Sequence, residues 1–471
     1  MSVRGAARSS ALWTVVAVVA AAITLPFGES VIGVQLAAIG RTFDAGGAPL
    51  QWLVNGYMLT FATSILVAGV AADKLGRRRL FAAGLLVVGL ANALAIVAPS
   101  LGWLIGLRAA AGLGAGTLLA TGPALLAARF PDDDKPRSRA FAAFGAAAGS
   151  GIAFGPLVGG LVMDQFGWRA VFAVYLPFIV LAALLLGRIA PSRDPDAPPI
   201  DAAGIGLFVA CLGLVVLAIQ GAGYTATLRA GLVGVAICLL VLLVWVERTR
   251  AHPAVEPGLF ANPTFRVMSL TMTCWQIGVA ISMVYVPAVA VAGLGASPGA
   301  AGASILPMAV LLFAATPLGP WLVSRAGIRG FVLACITTMA LGDAMVWASL
   351  TAPAPWPTIG LVAGLSLIGL GGGTANGSMD NLAMATIAPE RAGMAAGLFQ
   401  TVRIGSAALA VAAAGAVVAI GHHPSESLSG EVGVTARYAM LAGVSALVML
   451  AVAGLCLVLL QSTIRKGHPS P

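Results

Sequence analysis

Arg77-Arg78-Arg79 leads into Leu80-Phe81-Ala82-Ala83-Gly84-Leu85-Leu86-Val87-Val88-Gly89-Leu90-Ala91-Asn92-Ala93-Leu94-Ala95-Ile96-Val97-Ala98, nineteen residues without a charge. At about 1.5 Å of helix rise per residue such a run covers about 30 Å, the thickness of a bilayer's hydrocarbon core. Working outward, similar runs recur along the whole chain, at 12–36, 50–72, 80–98, 103–127, 140–162, 168–188, 203–221, 228–246, 266–292, 301–323, 330–351, 357–387, 396–420 and 437–461. These read as fourteen spans. The composition agrees: 59% of the 471 residues are hydrophobic and 9% charged, with a mean hydropathy of +0.98. Soluble domains carry about a quarter charged residues. A chain in lipid must satisfy its own backbone hydrogen bonds, which long helices do; the short alternating strands of a closed barrel are absent from the pattern. The expected fold is all-α and integral to the membrane. The apolar run behind Arg4 and Arg8 is too long for a signal peptide and continues into further spans, so it reads as an uncleaved first helix.

The net charge of +9 suggests nucleic acid at first sight. Its placement argues otherwise. With the N-terminus inside, 20 Lys and Arg residues fall on inside segments and 4 (Arg41, Arg169, Arg229 and Arg437) on outside ones, while Arg108 and Arg403 lie within spans. That is the positive-inside asymmetry. It places both termini in the cytoplasm and makes the lipid bilayer, not nucleic acid, the partner of the excess charge. The five cysteines (Cys211, Cys238, Cys274, Cys335, Cys456) sit in apolar runs without CxxC spacing and read as small hydrophobes. His252, His422, His423 and His468 sit in hydrophilic loops or the tail, and no metal site is expected.

Two loops match at nearly one offset. Asp73-Lys74-Leu75-Gly76-Arg77-Arg78 corresponds to Ser324-Arg325-Ala326-Gly327-Ile328-Arg329, 251 residues later, and Arg139-Ala140-Phe141-Ala142-Ala143-Phe144-Gly145 to Arg391-Ala392-Gly393-Met394-Ala395-Ala396-Gly397, 252 residues later. The repeat divides the chain into a six-helix half over 1–190, two inserted helices over 191–250 and a second six-helix half over 251–471. Repeated halves with a site between them are an architecture of secondary transporters.

Three motifs sharpen this. Gly69-Val70-Ala71-Ala72-Asp73-Lys74-Leu75-Gly76-Arg77-Arg78-Arg79 puts a carboxylate at a helix end beside a glycine turn and a basic cluster, where it can pair with the arginines or cap a helix; the bland alternative is that the arginines only anchor topology. Leu107-Arg108-Ala109-Ala110-Ala111-Gly112-Leu113-Gly114 puts an arginine inside a span, where it needs a partner, Glu29 being the best candidate, or else snorkels to the surface. Gly145, Gly149, Gly151 and Gly155-Pro156-Leu157-Val158-Gly159-Gly160 form a small-residue face for close helix approach, with Pro156 permitting a bend. With Gln51-Trp52-Leu53-Val54-Asn55-Gly56-Tyr57 and Gly167-Trp168-Arg169-Ala170-Val171-Phe172 before Pro177, these stretches resemble the major facilitator superfamily, specifically its fourteen-helix drug:proton antiporter branch, over nearly the whole chain. The chain departs from that branch at Glu29, where an Asp-Thr-Thr-type signature is usual, at Tyr175, which stands for a frequent asparagine, and at Ser324, which stands for an acid.

The resemblance implies a bacterial cytoplasmic-membrane protein that is not an enzyme. It implies efflux of small amphipathic drugs or hydrophobic natural products by alternating access, driven by a proton gradient without a cofactor, and a monomer. The glycine–proline motif accompanies export in this family, and Asp73, Gly76, Arg77, Arg78, Arg108, Gly151, Gly155, Pro156, Gly159 and Gly160 are the corresponding gating and motif residues. A proton antiporter needs a carboxyl group whose environment alternates. The acids well inside spans are Glu29, the first choice, then Asp380 and Asp343, each with a static structural role as its alternative. Candidate pocket residues near the midplane are Asn55, Tyr57, Trp275, Gln276, Tyr285, Trp347, Asn376, Phe399, Gln400 and Arg403, the last able to pair with Asp380 or attract an anionic substrate. The chain has no Gly-Lys-Ser/Thr phosphate loop. Export of an endogenous metabolite such as a siderophore, amino acid or sugar stays open, as does a non-transporting sensor or scaffold, which the buried charges disfavour.

Overall fold

The computed structural model describes residues 3–46, 48–130, 134–193, 201–220, 224–249, 257–293, 295–351, 356–376, 378–387, 392–419 and 431–465. Every regular element among them is helical. The first group comprises α1 (Val3–Ser30), α2 (Ile32–Phe43), α3 (Ala48–Leu75), α4 (Arg77–Ile96), α5 (Leu101–Arg129), α6 (Asp134–Phe166), α7 (Trp168–Val171) and α8 (Leu176–Leu185). A hairpin of α9 (Ala202–Gln220) and α10 (Ala226–Thr249) follows. The last group is α11 (Pro263–Gly293), α12 (Pro298–Ala303), α13 (Leu306–Ala314), α14 (Leu318–Thr351), α15 (Trp356–Ala375), α16 (Ser378–Met384), α17 (Ala392–Ala419) and α18 (Glu431–Arg465).

Eleven helices among the described residues are long and apolar enough to cross a membrane, and three shorter apolar stretches, Ala11–Leu25, Ala203–Ile219 and Pro298–Ala314, occupy the places of expected spans one, seven and ten. Several expected spans are interrupted. The first breaks at Val31, between α1 and α2. The tenth is divided among α12, α13 and the first leg of α14. The expected 357–387 span is α15 followed by the short α16.

The sequence repeat has a backbone counterpart. Gly76 (φ 101°) turns α3 into α4, and Gly327 (φ 65°), 251 residues later, joins the two legs of α14. Glycine takes up these positive φ values at little cost. Asp44, the one non-glycine residue with positive φ among those described, ends α2 at φ 49°; Gly295, again 251 residues later, follows α11 at φ 65°. Each end is closed by a backbone bond, Ala45 N–H donating to Gly40 O and Ala296 N–H to Ala290 O, both at 2.9 Å.

Within the first group α5 packs on α3, α4 and α1, and α1 on α6 and α8; within the last, α14 packs on α15 and α18, and α11 on α17 and α18. The groups meet where α2 touches α11, α6 touches α12 and α13, and α3 touches α17. α9 packs against both α3 and α17, so the inserted hairpin leans on the seam between the groups.

Candidate functional site

Arg108 does not reach for the surface. It is 2% exposed on α5, and its guanidinium is held from two helices: Nη2 donates to Gly28 O of α1 at 2.8 Å and Nε to Leu53 O of α3 at 3.1 Å. Its central carbon lies 4.3 Å from the centre of the Tyr57 ring. Tyr57 in turn donates its hydroxyl to Leu25 O at 2.9 Å. The Gly28 carbonyl is available because α1 stops two residues beyond it, where the ladder of a helix leaves acceptors free. The planar donor fork of arginine suits two acceptors and an aromatic face together. The backbone of Glu29 directly follows the carbonyl that Arg108 binds; the Glu29 side chain, and with it the expected ion pair, lies outside the described residues.

The break at Val31 is where the glycine–proline motif packs. Ser30 Oγ donates to Gly151 O at 3.5 Å, and a Cβ added at Gly155 would stand 2.5 Å from Ser30 Oγ. A Cβ at Gly159 would collide with the Val31 side chain, and one at Gly160 with the carbonyl oxygen of Pro298 at the start of α12. The Pro156 carbonyl lies so close to Gly302 that a Cβ there would strike it as well. The motif therefore fills the space between the broken first span and α12. At its end, Asp164 Oδ2 accepts the Gly299 N–H at 2.9 Å. Close backbone approach of this kind requires small residues.

A second junction joins three helices. Tyr285 on α11 donates its hydroxyl to Gln51 Oε1 of α3 at 2.7 Å, with Val411 O of α17 3.2 Å from the same oxygen. Gln51 O accepts from Asn55 Nδ2 at 2.9 Å, and the buried Asn55 Oδ1 has no hydrogen-bond partner among the described residues. Tyr285 and Asn55, expected as pocket residues, stand at this contact between the groups. The Gln51–Tyr285 and Asp164–Gly299 contacts both lie toward the end of the molecule that carries Asp44 and Gly295.

In the last group, Arg403 of α17 lies over the Trp275 ring of α11 at 4.5 Å. Trp275 is 3% exposed, and its Nε1–H has no hydrogen-bond partner among the described residues, an uncommon state for a buried donor. Gln400, one turn before Arg403, donates Nε2 to Asp380 Oδ1 of α16 at 3.4 Å. Arg403 thus stacks on an aromatic face, and its charge acts on Asp380 without a close ion pair between them. Gln276 is buried beside Trp275, Asn376 lies between α15 and α16, and Phe399 packs edge-on against Phe265 at 6.0 Å. Trp347 departs from this gathering: it is 47% exposed, against Gly443 of α18. Asp343, 4% exposed on α14, accepts from Ser445 Oγ of α18. Nothing in the sequence pointed to Ser445 or to the pairing of Gln51 with Tyr285, because both contacts join residues more than 100 positions apart.

The model of the Major Facilitator Superfamily matches residues 18–411. The chain belongs to this superfamily. The Multidrug resistance protein Stp of Mycobacterium tuberculosis is 32% identical over 394 residues, which is 83% of this chain and 72% of that protein. The Drug efflux pump JefA of the same organism is 30% identical over 399 residues, 83% of this chain and 77% of its own length. The crystal structure of tetrameric PepTSo2 superposes with a TM-score of 0.66 at 15% identity, covering 97% of this chain and 99% of that one, a likeness of fold alone.

As a major facilitator the chain is a multi-pass membrane transporter, and the remaining motif residues can be placed. At the turn of the loop motif, Arg77 N–H donates to Ser192 O at 2.9 Å and its Nη1 to Ser192 Oγ at 3.3 Å, tying α4 to the segment behind α8. In the repeat, Arg329 Nη2 donates to Leu460 O of α18 at 2.9 Å. Arg78 is partly buried beside Arg77. The side chain of Asp73 lies outside the described residues, as do Arg391, His252, His422, His423 and His468. No group of three or more His, Cys, Asp or Glu side chains gathers as a metal site among the described residues.

Proposed function

We propose that this transporter is a proton-coupled exporter of small amphipathic molecules that works by alternating access. Its chain crosses the bacterial cytoplasmic membrane fourteen times, with both termini in the cytoplasm, and acts as a monomer: a half over 1–190, an inserted hairpin over 191–250 and a half over 251–471. The three shorter apolar helices are the spans that complete the count. The observation that carries the reading is the position of the contacts between the groups. Gln51 with Tyr285, and Asp164 with Gly299, hold the two together toward one end. The basic turns Arg77–Arg79 and Arg325–Arg329 mark the opposite, cytoplasmic end. We take this latched outer end as one state of the alternating-access cycle, the one from which an exporter loads cargo on the cytoplasmic side.

Drug efflux is supported by the likeness to the Multidrug resistance protein Stp and the Drug efflux pump JefA. A flat, apolar cargo bearing acceptor oxygens suits the inner cluster, where Trp275 has an unfilled N–H and Arg403 a guanidinium. Glu29, Asp343 and Asp380 are the candidates for the group that takes up the coupled proton. The test is flux in proteoliposomes holding the purified protein under an imposed pH gradient, with a panel of anionic, zwitterionic and cationic amphipathic compounds. The reading expects uphill accumulation of at least one class that collapses with a protonophore. Flux that follows only the substrate's own gradient contradicts it.

A further inference from the structure

The 251-residue repeat brings two buried polar residues into correspondence. Asn92 stands sixteen residues after the turn glycine Gly76, and Asp343 sixteen residues after Gly327. Both are buried, at 3% and 4% exposure. Asn92 turns inward on its own helix, donating Nδ2 to Val88 O at 2.8 Å. Asp343 instead reaches across to α18 and accepts from Ser445. One half therefore has an uncharged amide where the other has a titratable carboxyl, at the same depth in the repeat.

Among the described residues, the surroundings of Asp343 contain hydroxyl groups and no counter-ion. α11 presents Gly278, whose added Cβ would lie 4.0 Å from Asp343 Oδ2. One turn further along α11, Ser282 lies 3.5 Å from the Tyr438 hydroxyl of α18. α15 presents Gly364 and Ile368 to this part of α14. The titratable groups of the packed helices near this level are Tyr438, Cys274 and Cys456. Their charged residues are Arg266 on α11 and Glu431, Arg437 and Arg465 on α18, and α15 has none. All stand eight or more residues along the helix from Gly278 or Ser445, at least about 12 Å by helix rise. Arg325 and Arg329, on the same helix as Asp343, are fourteen or more residues away. An ionised carboxyl without a counter-ion at membrane depth is expensive, and a protonated one is not. A hydroxyl partner suits both forms, since it donates to the carboxylate and accepts from the acid.

We propose that Asp343 is a proton-binding site of the transport cycle, positioned by Ser445 at the seam of α11, α14 and α18, one turn along α11 from Trp275. The assignment rests on the proton-coupled reading above and places its chemistry at one residue pair. The carboxyl holds its proton while the seam is closed and releases it when α18 moves off α14 and water reaches the pair. The motion of α18 then links proton release to the transport cycle.

Asp343→Asn copies the residue of the repeat-related site, so it tests the charge with little change of shape. In proteoliposomes the variant is expected to lose gradient-driven accumulation by about tenfold or more. It should still perform substrate counterflow, which moves no net proton. Ser445→Ala, which keeps the acid but removes its partner, is expected to remain coupled and to shift the pH of half-maximal transport by about one unit. Wild-type accumulation and an unchanged pH profile in Asp343→Asn overturn the assignment. Should that variant fail to fold, an unchanged pH profile in Ser445→Ala overturns it equally. A wild-type protein that shows no response to the pH gradient overturns the coupled reading itself, so the two failures are distinguishable.

Discussion

Tyr285 shows how much a single hydroxyl can decide. Its oxygen faces Gln51 and Val411, on helices from both groups. Tyr285→Phe leaves those acceptors buried without their donor, at a cost of about 1–2 kcal/mol. The cost falls on the latched state, so the ratio of latched to open molecules shifts by about tenfold. Labelling of a cysteine introduced near Gln51 should speed up accordingly; an unchanged rate contradicts the latch. Arg108 is the counterpart deeper in the first group. Lysine keeps the charge but loses the fork that reaches Gly28 O, Leu53 O and the Tyr57 face. Arg108→Lys is expected to lower transport by about tenfold or more with expression intact, measured as initial flux per unit of purified protein. Neither contact was visible in the sequence as a pair. The cost of a charge within a span singled out Arg108, whereas nothing local marks Gln51 as the partner of a tyrosine 234 positions away.

At the scale of elements, α6 and α12 make a close backbone contact. Gly160 admits the Pro298 carbonyl, and Gly302 the Pro156 carbonyl. Gly160→Ala sets a methyl group against a carbonyl oxygen, which costs about 1–3 kcal/mol if α12 must move away. We expect a lower thermal midpoint in detergent and a population shifted toward the open outer end, read by the same cysteine labelling. A variant equal to wild type in both would show that the close approach does not hold the end shut. Glycine spacing announced a small-residue face, but not what it faces: α12 is only six residues long, and its packing on α6 depends on the distant fold. The turn glycines were more legible. Gly76 and Gly327 stood out through their matching loops, and both adopt the positive φ that makes glycine the suitable residue there.

For the whole molecule, apolar run length and charge placement outlined the helices because the bilayer imposes those patterns directly. The interruptions at Val31 and between Ala375 and Ser378 escaped that reading, since hydropathy registers depth and not backbone continuity. They matter for the transport cycle, because a broken helix frees carbonyls such as Gly28 O to bind a buried cation. The latch can also be tested as a unit. Cysteines at Asp164 and Gly299, joined by a cleavable cross-linker, should arrest transport, and cleavage should restore it; transport unaffected by the cross-link contradicts alternating access through this end. The central claim, that cargo leaves in exchange for protons, is tested most directly by loading proteoliposomes with a substrate and a pH dye, with no pH gradient imposed. The account predicts that downhill efflux of the substrate acidifies the lumen in step with the cargo lost. Efflux of the same cargo with no change in luminal pH would contradict it.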